Sequence, residues 1–482
     1  MGKVQSFGFQ KSQGGHRPRV AWKSPLYRIV QDNLETFLIR GAVSPPSRFA
    51  EPSLRSFLEC GVPRFGIMRF ACSRCNKSIF IPFSCKKRSV CPSCDAKRAT
   101  LKSLRLTEEL LPHVPYRQWV LVLPKRLRYF VNRNHRLAGE ISRIFAETLG
   151  QFYRDRTVRN SLPAGILNSA QPAQLHFIQR FGARVNLHVH IHAVVSDGVF
   201  AAGGEGRLVF FPALRQIAPE QLQRLAETLR RRILKRLTRI GAIPETTAAE
   251  MSLWPNSGFS VNAQVRIRHY DRRGLERLLS YCLRPSISLK RLGYFPQRDM
   301  ARYHVPRDNE TLEWNTVEFL ERFSALIPPP RINLVRYSGA LGPRSSLHRL
   351  ISEAAKRRIS CARLKDGWSH SVDFKRAFSE AKAVARKAFS SAWAKCLSRI
   401  LEASPIICPQ CKLEMRPVAA ILDTHELTRL LGYLDLPTEF PATKPARAPP
   451  QPCIAEDSQI NPLAEAFCGI DEALEEETLS SV

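Results

Sequence analysis

Residues 186–198 read NLHVHIHAVVSDG and place three histidines within five positions. Apolar residues alternate with the histidines, which predicts a β-strand. Side chains two positions apart lie on one face of a strand, so His188, His190 and His192 point the same way. Neighbouring histidines are then ~6.5–7 Å apart at Cα, whereas all three span ~13 Å. The pattern favours one metal ion bound by two of the three, or acid–base chemistry, over a half-exposed strand whose histidines face solvent.

The composition indicates a partner of negative charge. The chain has 482 residues and a formal net charge of +32, from 74 basic and 42 acidic side chains. Such an excess indicates binding to nucleic acid or another anionic surface. Residues 451–482 hold eight acidic side chains and no lysine or arginine. The sequence therefore predicts a basic body that binds nucleic acid or another anionic surface, with a short acidic tail.

The sequence predicts neither a membrane span nor disulfide bonds. No apolar run approaches the ~18 residues that a transmembrane helix needs, and the N-terminus lacks an apolar signal region. Thirteen cysteines in such a chain indicate metal binding in a reducing compartment. We expect a cytoplasmic protein.

Two Cys-x2-Cys motifs lie fifteen residues apart and predict a structural zinc site. Their four cysteines are Cys72, Cys75, Cys91 and Cys94. Cys60 and Cys85 lie in the same stretch and offer other ligand sets. A third motif, Cys408 and Cys411, is half a site or a simple turn, and three residues could complete it: Cys396, Asp423 and His425.

A tyrosine between two arginines lies on a predicted amphipathic helix, LERLLSYCLRP, residues 275–285. The apolar residues recur at helical spacing, and Asp271 can cap the helix. Tyr281 lies one turn after Arg277 and one turn before Arg284. It is either an ordinary aromatic at the edge of a core, or a phenol that attacks a phosphate held by two guanidinium groups.

The predicted elements alternate between strands and helices. Strands are expected at 118–123, 176–181, 187–195 and 259–267, and helices at 137–153, 219–240 and 272–283. This order predicts an α+β fold in which helices cover one face of an antiparallel sheet.

Six segments, taken together and in this order, resemble the insertion-sequence-91 family of bacterial rolling-circle transposases, which are HUH (His–hydrophobic–His) endonucleases. The segments lie within residues 27–423, at 69–98, 117–129, 176–200, 274–292, 328–343 and 407–421. The resemblance implies that His190 and His192 are the metal-binding pair and that Tyr281 is the nucleophile. Arg277 occupies the position where some members carry a second tyrosine, so the chain resembles a single-tyrosine member.

The resemblance implies a DNA transposase that nicks single-stranded DNA at element ends, through a covalent 5′-phosphotyrosine, and then transfers strands in rolling-circle transposition. The implied cofactors are Mg²⁺ or Mn²⁺ for catalysis and Zn²⁺ for structure, in a bacterial, nucleoid-associated setting. The third ligand of the catalytic metal stays open among His176, His188, Gln179 and His269. DNA contacts are expected from Arg277, Arg284, Lys86, Lys87 and Arg88, although the last three could be a solvated charged surface.

The predicted organisation has six parts. They are a basic disordered arm (1–20), a zinc-binding domain for DNA recognition (21–115), an HUH catalytic domain (116–300), a mainly helical basic region (301–400), a Cys-x2-Cys element (401–440), and a Pro-rich linker with an acidic disordered tail (441–482). Three alternatives remain: a replication initiator or relaxase with the same chemistry, a non-catalytic zinc DNA-binding regulator, and a nuclease that uses metal-activated water.

Overall fold

The computed structural model describes most of the chain. The described residues are 21–40, 49–134, 136–156, 169–202, 208–213, 216–254, 258–356, 371–372, 408, 410–411, 413, 415–434, 436–439 and 442–447. The predicted N-terminal arm, most of the predicted helical stretch after residue 356, Cys396 and the acidic tail lie outside the described residues.

Eleven α-helices and fifteen strands are described. The helices are α1 Pro25–Arg40, α2 Ala50–Leu58, α3 Pro92–Arg105, α4 Lys125–Arg133, α5 Arg136–Arg156, α6 Pro219–Arg239, α7 Glu245–Leu253, α8 Arg272–Cys282, α9 Thr316–Ala325, α10 Leu347–Lys356 and α11 Thr424–Tyr433. The strands are β1 Ile67–Ala71, β2 Ser78–Pro82, β3 Tyr116–Val122, β4 Ala173–Phe181, β5 Leu187–Ser196, β6 Gly198–Ala202, β7 Leu208–Pro212, β8 Ser260–Asn262, β9 Arg266–Ile267, β10 Leu292–Phe295, β11 Met300–Val305, β12 Glu310–Asn315, β13 Val335–Gly339, β14 Ser371–Val372 and β15 Arg416–Ile421. None of the helices described is both long and apolar enough to cross a bilayer.

An antiparallel sheet in the order β13-β4-β5-β3-β8 forms the centre of the α+β fold, and β9 also pairs with β3. Trp119 and Ile191 project from one face into a core with α4, α5 and α6. Leu175 and Val194 project from the other face into a core with α8 and α10. The expectation of helices on one face only is therefore wrong. Because the central strands carry apolar side chains on both faces, both faces of the sheet are buried under helices.

Most predicted elements between residues 116 and 283 are confirmed, but the expectation of a mainly helical region from residue 301 is wrong over its first part. Met300–Val305 buries every second side chain and pairs with strands on both sides, as β11 of the sheet β10-β11-β12. Val335–Gly339 pairs with β4 in the central sheet, with Arg336 opposite His176. The sheet that carries the histidines thus extends beyond the expected boundary at residue 300.

The C-terminal part, the described residues between 408 and 447, packs on the N-terminal module, residues 21–115. It does not form the separate element and linker that the sequence predicted. Strand β15 pairs with β1, with Ile421 opposite Ile67. Leu427 and Leu431 of α11 pack against Ile67. Residues 442–447 lie along α1, where the backbone N–H of Lys444 donates to the carbonyl oxygen of Gln31 at 3.1 Å.

Candidate functional site

The histidine strand lies in the middle of the central sheet. His190 is opposite Gln179 on β4, and His192 is opposite Phe177. Both imidazoles lie on the face that α8 covers, and their Nε2 atoms are 3.1 Å apart. Two ligands at right angles around an ion at about 2.1 Å are about 3 Å apart. The two rings therefore fit one octahedral divalent ion.

The surroundings keep both histidines uncharged. Burial, together with the positive charge of Arg284, lowers the pKa of His190 to about 4 and the pKa of His192 well below its ordinary value. Neutral imidazole is the form that binds metal. His190 Nδ1 lies 2.9 Å from the carbonyl oxygen of His188, so its N–H donates there and the Nε2 lone pair faces His192.

Gln118 sets the orientation of His192 and was missed in the sequence. Its side-chain nitrogen lies 2.9 Å from His192 Nδ1, and its Oε1 is buried without a hydrogen-bond partner in the described part of the chain. If the amide is turned by 180°, Oε1 accepts from Nδ1–H and the Nε2 lone pair of His192 is left for a metal. The available signal was a polar residue at the start of the predicted strand 118–123, whose other residues are apolar.

The four candidates for the third ligand of the catalytic metal lie in different positions relative to the histidine pair. His176 is on the opposite face, with its ring nitrogens 3.1 Å from Ser142 Oγ and 3.1 Å from Gln174 Oε1. His269 follows β9, which pairs with the end of β3 that is far from the histidine pair. The His188 ring is 4.9 Å from that of His190. Gln179, opposite His190, has a buried Oε1 without a partner among the described residues.

Helix α8 brings Tyr281 to the histidines. The helix begins at its cap, where Asp271 accepts from the backbone N–H of Gly274 at 2.8 Å. The Tyr281 ring lies 5.5 Å from the His192 ring, at an interplanar angle of 80°. Gln179 Nε2 donates to the carbonyl oxygen of Cys282 at 2.9 Å, which joins the end of α8 to the histidine sheet.

The basic residues expected to contact DNA lie in different surroundings. The Arg284 guanidinium lies 4.6 Å from the Tyr281 ring centre and 5.5 Å from that of Phe181. Arg277 is exposed on the same helix, and Lys86 is exposed in the N-terminal module. Arg88 donates to the carbonyl oxygens of Ile332 and Pro329, so it joins the module to the loop before β13.

The four cysteines predicted to share one zinc ion do not lie together. Cys91 and Cys94 lie with Cys60 and Cys85, whereas Cys72 and Cys75 lie with Cys408 and Cys411. In the first cluster Cys60 Sγ is 3.6 Å from both Cys91 Sγ and Cys94 Sγ. Sulfurs around a tetrahedral zinc at about 2.3 Å are about 3.8 Å apart. The grouping from the sequence is corrected, because motif spacing cannot tell which pairs meet in the fold.

Two family models match the chain. The model described as "Transposase zinc-binding domain", of the insertion-sequence-91 type, matches residues 29–123. The model described as "Putative transposase" matches residues 174–349, which include the histidine strand, α8 and β13. Comparison with curated proteins and with solved structures gives no significant match. The two matches support a DNA transposase role, and with the cysteine clusters they support structural zinc.

Proposed function

We propose that the chain is a single-tyrosine HUH transposase, which nicks single-stranded DNA at the ends of a mobile element and stays attached through Tyr281. The observation that carries this proposal is the position of Tyr281 beside the histidine pair, with its ring 5.5 Å from that of His192. A zinc DNA-binding regulator needs no such arrangement of a phenol, two buried neutral imidazoles and an arginine.

Each side chain has a defined task in the proposed reaction. Mg²⁺ or Mn²⁺, held by His190 and His192 with Gln179 as third ligand, would polarise the scissile phosphodiester when bound. The Tyr281 oxygen attacks phosphorus, the bond from phosphorus to the 3′-oxygen breaks, the phenol loses its proton and the leaving oxygen gains one. The products are a 5′-phosphotyrosine and a 3′-hydroxyl. Arg284, beside the Tyr281 ring, stabilises the charge on the phosphate oxygens.

The attack can be reversed without a nucleotide cofactor. The phosphotyrosine ester keeps the energy of the broken bond, so a 3′-hydroxyl from another strand can displace Tyr281 and join the two strands. The phosphodiester must reach both Tyr281 and the histidine pair, which favours an unpaired strand. Aromatic stacking and phosphate contacts, including those of Lys86 and Lys87, supply affinity for the DNA.

The test is covalent adduct formation. The full chain is incubated with labelled single-stranded oligonucleotides from both flanks of the gene, with Mg²⁺ or Mn²⁺, and separated on a denaturing gel. We expect a metal-dependent adduct that disappears with Tyr281→Phe and persists with the control Tyr270→Phe, which alters an exposed tyrosine outside the site. Cleavage that leaves no adduct and survives Tyr281→Phe would instead indicate hydrolysis by water.

A further inference from the structure

Two Cys-x2-Cys motifs with an equivalent backbone hydrogen bond meet at the second cysteine cluster, although they lie more than 300 residues apart in the sequence. The backbone N–H of Cys72 donates to the carbonyl oxygen of Lys77 at 2.9 Å, and that of Cys408 donates to the carbonyl oxygen of Leu413 at 2.7 Å. Each bond closes a turn of the same length, and each turn leads into a strand of the sheet β15-β1-β2. The similarity of the two turns indicates that they are two halves of one site.

The four sulfur atoms have the spacing of ligands around one ion. Cys75 Sγ lies 3.5 Å from Cys408 Sγ, and all four ligand atoms lie within 4.8 Å of one another. A tetrahedral tetrathiolate zinc needs about 3.8 Å between sulfurs, whereas a disulfide needs about 2.05 Å. Cys72 and Cys408 are completely buried, beside Met415 and Ile79. Cys75 and Cys411 are partly exposed, so two ligands of the cluster are buried and two lie nearer the surface.

We propose that Cys72, Cys75, Cys408 and Cys411 bind a second zinc ion, which fastens the C-terminal segment 408–447 to the N-terminal module. Half of this site lies outside the residues 29–123 that match the zinc-binding family model. The proposal is independent of the reaction at Tyr281.

The contacts beyond the cluster show what the ion holds in place. Strand β15 forms the edge of the sheet beside β1, and only a few apolar side chains of α11 are buried against the module. Arg447 then donates to Asn33 Oδ1 at 2.6 Å and to Asp299 Oδ1 at 2.9 Å, which joins α1 to the residue before β11. The ion would therefore add a strong attachment at the start of a segment that is otherwise held by strand pairing, a few apolar contacts and these hydrogen bonds.

The first test counts zinc in the purified full chain. We expect two zinc ions per chain in the wild type and one in Cys408→Ser/Cys411→Ser. The matched control Cys361→Ser/Cys396→Ser removes two cysteines from the same half of the sequence and should keep two. A single zinc in the wild type, or two zinc ions in Cys408→Ser/Cys411→Ser, overturns the proposal.

A second variant separates loss of the ion from loss of the fold. Cys408→His keeps a ligand but replaces one thiolate with nitrogen. In the Co²⁺-substituted chain we expect two ions and a changed absorption spectrum for one of them. An unchanged spectrum means that Cys408 is not a ligand. Limited proteolysis should cut the segment 408–447 faster in Cys408→Ser/Cys411→Ser than in the control, and equal rates would contradict its fastening by zinc.

Discussion

Gln179 lies directly opposite His190 and also donates from Nε2 to the carbonyl oxygen of Cys282, at 2.9 Å. One side chain thus joins the histidine strand to the end of the helix that carries Tyr281. Because Nε2 is engaged with α8, the amide oxygen is the atom left for a metal ion. This relationship favours Gln179 over the other candidates for the third ligand.

Removal of that oxygen should weaken metal binding. With Gln179→Leu we expect the Mn²⁺ concentration for half-maximal adduct formation to rise by about 10- to 100-fold, the range for disturbed metal sites. Gln179→Glu keeps an oxygen ligand and should bind the ion more tightly than Gln179→Leu. The measurement is the single-turnover rate of adduct formation against Mn²⁺ concentration. An unchanged metal dependence in Gln179→Leu would exclude Gln179 as a ligand.

Gln118 should act through His192 and not on the DNA. With Gln118→Leu the ring of His192 loses its partner at Nδ1, so its orientation and tautomer are no longer fixed. We expect about 10-fold or greater weakening of metal affinity, with unchanged binding of single-stranded DNA in the absence of metal. Calorimetric Mn²⁺ titration and fluorescence anisotropy with a labelled oligonucleotide give the two values. Equal losses of metal affinity and of DNA affinity would indicate a general structural defect.

Arg284 and Arg277 should have different roles, although each lies about one helical turn from Tyr281. Arg284 is in contact with the Tyr281 ring, whereas Arg277 is exposed. We expect Arg284→Met to lower the rate of adduct formation at saturating DNA by about 10²-fold or more, the range for loss of a group that stabilises transition-state charge. Arg277→Met should change only the DNA affinity, and less so at high salt. The rate and the apparent Kd, measured at two salt concentrations, distinguish the two roles. Similar kinetic effects of the two variants would contradict this assignment.

The parts of the site that follow local periodicity could be predicted from the sequence. Alternation gave the strand of His190 and His192, and helical spacing with the Asp271 cap gave the helix of Tyr281. The partners of Cys72 and Cys75 could not be predicted, because sulfur ligands meet according to the fold and not according to motif spacing. Gln118 and Gln179 gain their importance from strand register, which one sequence does not reveal.

The edges of the fold were harder to predict for a related reason. Helices cover the second face of the sheet because its strands have apolar side chains on both faces. Alternation in the sequence alone does not distinguish such strands from half-exposed ones. The strands β10, β11 and β12 are short and partly polar. Alternate side chains of β11 are buried and alternate side chains of β12 are partly buried, but over so few residues this alternation is a weak signal in the sequence. Pairing with each other makes them strands.

His176 should make the stability of the chain sensitive to acid. Burial lowers its pKa to about 3, and the positive charge of Arg336 adds to the effect. The neutral ring is held between Ser142 and Gln174. In the unfolded chain the pKa is about 6.5, so the unfolded state binds the proton first as the pH falls. Stability from this residue is therefore complete above about pH 6.5 and decreases at lower pH, by about 1.4 kcal/mol per pH unit.

A His176→Gln variant isolates this contribution, because the other histidines are common to both chains. Between pH 7.5 and pH 5 the wild type should lose about 2 kcal/mol more free energy of unfolding than the variant. Urea unfolding at both pH values, followed by tryptophan fluorescence, gives the difference. The variant is expected to be less stable than the wild type at pH 7.5, because the substitution disturbs a packed core. The difference in free energy of unfolding between the two chains should become smaller as the pH falls. If this difference in free energy of unfolding stays constant with pH, His176 is protonated in the folded chain as readily as in the unfolded one.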